Sequence, residues 1–135
     1  MFKSITAPLL GITTASLMLV GCASSDDNQK QINMLAEQRA SILSTGLPFE
    51  YGPLNVLRAN AKQGVIELMM IYNADGANLS AQNLMSQAVD YYCSNKDVKN
   101  TLEVGVNYRL MLRNPRGQLL LDQFVTMDTC QTNNK

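Results

Sequence analysis

Leu19-Val20-Gly21-Cys22 is the stretch that most constrains this chain, because it decides how much folds, in which compartment, and which cysteine is unavailable for pairing. Lys3 supplies a basic start, and Ala7 to Val20 form an apolar stretch interrupted by Pro8, Gly11, Thr13, Thr14 and Ser16. That run falls short of the roughly 20 apolar residues a membrane span requires, and it ends at a small residue followed by a thiol. It reads as the lipobox of a bacterial lipoprotein. The Cys22 sulfur takes a diacylglycerol thioether and the chain is cut between Gly21 and Cys22, so residues 1–21 are signal peptide and Cys22 is the lipid attachment.

Removing 21 of 135 residues leaves 114, the size of a single domain. The 11 basic and 11 acidic side chains lose only Lys3 with the leader. A balance so near zero argues against nucleic acid, whose phosphates require a clustered basic excess. The chain has no His and no Trp, so the usual general base, the commonest zinc ligand and the best sugar-stacking ring are missing. Once Cys22 is lipidated, Cys93 and Cys130 remain, and in an oxidising periplasm they are expected to pair. Residues 22–31 are polar and without apolar period, and read as a flexible tether between lipid and domain. Ala23, rather than aspartate, follows the lipidated cysteine, which predicts sorting to the outer membrane.

From Ile32 the folded domain, residues 32–135, begins. Ile32, Leu35, Ala36, Arg39, Ile42 and Leu43 share one helical face, and Gly46 and Pro48 stop the helix. Pro48 to Pro53 reads as a connecting loop, and its Phe49 and Tyr51 are candidates for insertion into a partner. Period-two runs over Leu54 to Lys62 and Val65 to Tyr72 predict a hairpin, the second strand apolar on nearly every residue and therefore interior to a sheet. Ser80 caps a second helix reaching about Cys93, and Lys96 to Gly105 offers one helical turn. Val104 to Arg113 and Gln118 to about Met127 form a second hairpin across Asn114-Pro115-Arg116-Gly117. The expected fold is α+β: a small single domain whose antiparallel sheet of two hairpins carries helices packed on one face, with one disulfide.

Chemistry is sparse. Asp75, Asp90, Asp97, Glu103, Asp122 and Asp128 share no helical spacing and read as solvated surface, and Ser80 without a His is a cap rather than a nucleophile. Met69, Met70, Met85, Met111 and Met127 read mostly as core filling, with an adaptable binding surface as the alternative. No catalytic residue, metal ligand or cofactor loop is expected.

The segments INMLAEQRASILSTGLP, FEYGPLNVLRANAKQGVIELMMI and above all VGVNYRLMLRNPRGQLLLDQFVTMDTC carry a resemblance that spans nearly the whole mature chain. With Gly105, Tyr108, Gly117, Leu121-Asp122 and Thr129-Cys130 in the family's arrangement, the chain resembles the GspS-beta (AspS/YghG) family of type II secretion pilotins. The resemblance implies an α+β fold with a Cys93–Cys130 bridge and a groove for the C-terminal helical S-domain of a secretin subunit. The implied partners are that secretin, the lipoprotein-sorting machinery and, through the lipid anchor, the outer membrane, with the domain facing the periplasm. A lipoprotein inhibitor or a cell-wall-associated protein is the alternative reading.

Overall fold

The computed structural model describes residues 23–133; the expected signal peptide, residues 1–21, and the expected lipid attachment at Cys22 lie outside them. The elements in order are α1 (Ala23–Ser44), β1 (Phe49–Tyr51), β2 (Leu54–Lys62), β3 (Val65–Tyr72), α2 (Ala81–Ser94), α3 (Lys96–Glu103), β4 (Asn107–Arg113), β5 (Leu119–Val125) and α4 (Met127–Thr132). The strands form one five-stranded sheet in sequence order. The result is a single α+β domain with four helices and one disulfide.

The sheet is mixed rather than antiparallel. β3 and β4 run parallel in the register Glu67↔Arg109, Leu68↔Leu110, Met69↔Met111, and the other neighbours are antiparallel. A parallel pair needs a crossover of a dozen or more residues, and α2 and α3 supply it between β3 and β4. Pairing each hairpin within itself is therefore right, and the seam between hairpins is where the expectation fails. β3 takes the central position that its continuous apolar run favours.

Four local expectations are also corrected. The supposed tether is helical from Ala23, because Asp26 sits in the first turn, where the helix dipole favours a carboxylate, and Gln29 Nε2 donates to Asn33 Oδ1 at 3.0 Å across one turn. Phe49-Glu50-Tyr51 is an edge strand on β2, not a loop. Within β2 a bulge near Leu57 shifts the phase, so Ala59 is buried and Leu57 is exposed. At the C-terminus the chain leaves the sheet at Val125 and turns into α4, where Thr126 and Thr129 cap one another's backbone amides. The bridge accordingly joins α2 to α4, with Cys93 and Cys130 both buried. Closing a loop of sequence separation 37 stabilises by about 3–4 kcal/mol in the chain-entropy account.

The core lies on one side of the sheet. Ile66, Leu68, Met70 and Tyr72 of β3 and Tyr108, Leu110 and Leu112 of β4 meet Ala36 and Ala40 of α1, Leu84, Met85 and Val89 of α2, Leu102 of α3 and Cys130 of α4. Helix α1 reaches close because two glycines receive it. A Cβ on Gly64 would lie 2.7 Å from Ile32 Cγ2, and one on Gly105 3.0 Å from Ile32 Cδ1; both glycines have positive φ. At its other end, Ser44 Oγ donates to the Ala59 carbonyl at 2.9 Å and fastens α1 to β2.

Candidate functional site

Side chains alternate along a strand, so the partners of the core residues in β2 to β5 point to the other face. Among the described residues no helix covers that face. By register it presents Asn55, Arg58, Asn60 and Lys62 on β2, Val65, Glu67, Met69 and Ile71 on β3, Asn107, Arg109, Met111 and Arg113 on β4, and Asp122 and Phe124 on β5. On a solvated sheet face polar residues are the rule. Here Val65, Met69, Ile71, Met111 and Phe124 break it, and Phe124 is 46% exposed.

A charged belt crosses the middle of this face. Arg109 Nη2 lies 2.6 Å from Asp122 Oδ2 while Nε donates to Oδ1 at 2.9 Å, a two-pronged pair, and Nη1 reaches Glu67 Oε1 at 3.0 Å. The guanidinium also lies over the Phe124 ring, 5.4 Å from its centroid. Hydrogen bonds to the two carboxylates raise the Arg109 pKa, and the same contact holds Asp122 below the ordinary value of 3.8. Asp122 is thus a fixed partner rather than the free surface carboxylate the sequence suggests.

On one side of the belt, Met69, Ile71 and Met111 form an apolar patch over three register positions of β3 and β4. Arg58 stands beside Met69, with Nη2 3.8 Å from its sulfur, and Arg113 stands beside Ile71, donating to the Gly117 carbonyl at 2.8 Å. Neither arginine has an ion pair among the described residues. Met70 and Met85 are the core fillers the sequence anticipates, while Met69 and Met111 belong to the open face.

Elsewhere the surface has less to offer chemistry. A depression of about 450 Å³ lies between Gly52-Pro53 and the loop carrying Asp75 and Gly76, and one of about 350 Å³ between Met85 and Val89 of α2 and Gln123 and Thr129. Ser80 caps α2, its oxygen accepting from the Asn83 amide at 3.2 Å. No group of three His, Cys, Asp or Glu among the described residues could hold a metal ion. No described helix is long and apolar enough to cross a membrane.

The family model for the type II secretion system (T2SS) pilotin, S protein, matches residues 28–130. This chain belongs to the type II secretion pilotin family. Two solved pilotins are similar throughout: EpsS of Vibrio vulnificus, with 43% identity and a TM-score of 0.74 over 78% of this chain and 97% of that one, and AspS of Vibrio cholerae, with 46% identity and 0.73 over 79% and 99%. A secreted protein of Pseudomonas aeruginosa shares the fold at 17% identity, with a TM-score of 0.67 over 76% of this chain and 96% of that one. No curated protein matches the sequence. No sequence motif marks the open sheet face, because its residues are scattered over four strands.

Proposed function

We propose that this chain is a non-enzymatic lipoprotein pilotin that binds the C-terminal S-domain of a type II secretion secretin and brings it to the outer membrane. The observation that carries the binding half is β3. Apart from Glu67 its side chains are apolar on both faces, as in a strand covered twice, yet among the described residues helices pack on one face alone. The membrane half rests on Cys22: each buried methylene of an acyl chain adds about 0.8 kcal/mol of membrane affinity, so several chains anchor the domain firmly. The lipoprotein-sorting machinery would then carry the anchored domain, facing the periplasm, with its secretin.

The test is a Cys22→Ser variant exported by an ordinary signal peptide. Secretin multimers are expected to collect in the inner membrane of cells carrying only that variant, while the variant keeps its disulfide and its affinity for the secretin S-domain in vitro. Outer-membrane secretin in those cells would remove the lipid from the mechanism. Failure of the S-domain to bind the processed chain would remove the secretin.

A further inference from the structure

We infer that Asp75 is a site of spontaneous covalent modification, where the chain rearranges through a cyclic imide with Gly76 into an isoaspartyl linkage. Neither the lipid nor a partner enters into it. The Gly76 nitrogen attacks the carboxyl carbon of the Asp75 side chain; the new C–N bond forms as the carboxyl hydroxyl leaves with the amide proton, as one water. A second water then opens the ring at either carbonyl. Opening at the main-chain carbonyl of Asp75 frees the α-carboxylate and leaves the backbone running through the side chain, longer by one methylene. Opening at the other restores aspartate. One water is lost and one regained, so mass is unchanged and no oxidant, reductant or cofactor is consumed.

Sequence and structure single out this position. Asp75 is the one Asp or Asn in the chain that precedes a glycine. A side chain on the next residue would crowd the attacking nitrogen; Gly76 has none, and even a Cβ built on it would meet nothing within 4 Å. Its φ of +73° is glycine's territory and turns the peptide outward. Both residues are exposed, and among the described residues neither the Gly76 N–H nor the Asp75 carboxylate has a hydrogen-bond partner. The turn is pinned on either side of them instead. The Asn73 amide donates to the Pro53 carbonyl at 2.8 Å, Asn73 Oδ1 accepts from the Asp75 amide at 3.1 Å, and the Ala77 amide donates to the Ala74 carbonyl at 3.2 Å. The linkage that must close the ring is thus the unbonded tip. Asp26, Asp27, Asp90, Asp97, Asp122 and Asp128 all lie within helices or β5, each before a residue with a side chain. A longer backbone at residue 75 would loosen the Ala74–Ala77 turn and reshape the depression of about 450 Å³ between this loop and Gly52-Pro53. The change should stop there, since the Tyr72 hydroxyl donates to the Leu79 carbonyl at 2.7 Å and Ser80 caps α2.

Ageing the folded protein tests this. The processed chain, as Cys22→Ser, is kept in warm neutral buffer, and samples are reduced and digested with an endoproteinase that cuts before aspartate and not before isoaspartate. A species of unchanged mass that resists cleavage before residue 75 is expected to accumulate, while cleavage before Asp90 is retained. Asp75→Glu, which would need a larger and slower ring, is expected to abolish that species and to keep the parent's thermal midpoint. Asp75→Asn, where ammonia takes the place of water as leaving group, is expected to form isoaspartate several-fold faster, with the mass rise that loss of an amide brings. Isoaspartate spread evenly over the aspartates would overturn the inference. So would its absence from residue 75 of the folded chain while it forms there in urea, because the folded loop would then withhold the ring geometry.

Discussion

Neighbouring residues on the same two strands lead different lives. Leu110, 1% exposed, lies under the helices, and Met111, one residue on, lies on the bare face; Ile66 and Glu67 divide in the same way on β3. The helical side is held by close fit, and the bare side by a single guanidinium clasped between two carboxylates. One side is therefore committed to stability, while the other keeps apolar area in reserve. That division is what the carrier role proposed above would require, since a carrier's fold must be complete before its cargo arrives.

The contrast predicts unequal costs for equal truncations. Leu110→Ala should cost about 2–5 kcal/mol, since the close-packed site cannot collapse around the missing carbons. Met111→Ala should cost well under half of that in the same denaturant titration, and similar losses would mean the bare face is part of the folding core. Next comes Gly64→Ala, which places a Cβ against Ile32 at a positive φ and is expected to lower stability by about 1–3 kcal/mol. An unchanged denaturation midpoint would show that α1 does not depend on that close approach.

The faces should also answer oppositely to pH. Burial raises the pKa of Tyr92 and of Tyr108, whose rings meet edge to face with centroids 5.0 Å apart on the helical side. A raised phenol pKa contributes stability that is present below about pH 10 and lost as pH rises beyond it. Tyr92→Phe, which keeps the ring, should flatten the alkaline decline in thermal midpoint. The smallest effect belongs to Asp122. Its lowered pKa contributes stability present above about pH 4 and lost as the pH falls through the lowered value. Asp122→Asn should reduce acid sensitivity slightly in the same scan, and no change would mean that the belt is set for binding rather than for folding.

Much of this was legible in the residues. The bounds of β3, the cap at Ser80 and the α+β class follow from local pattern, because each depends on neighbours in sequence. The parallel seam between β3 and β4 did not, since side-chain alternation is the same in either direction of pairing. α4 stayed hidden behind Val125, where strand and helix adjoin and Thr126-Thr129 replaces the usual acidic partner of a capping box. For the site, the apolar character of both faces of β3 could be read, but not which face the helices would take. Arg109, Glu67 and Asp122 are brought together by register alone, from positions up to 55 residues apart.

Ile32 also sets a geometry outside the sheet. The residues Ala23 to Gln31 continue α1 past the two glycines that receive Ile32, a helical length of about 14 Å at 1.5 Å per residue. A loose chain of that length would let the body tumble about its attachment, whereas a helix seated at Ile32 and fastened again at Ser44 behaves as a bracket. Whatever holds the N-terminal end of that bracket therefore fixes the bearing of the open sheet face as well as its height. Under the secretin reading proposed above, each body would arrive already aimed.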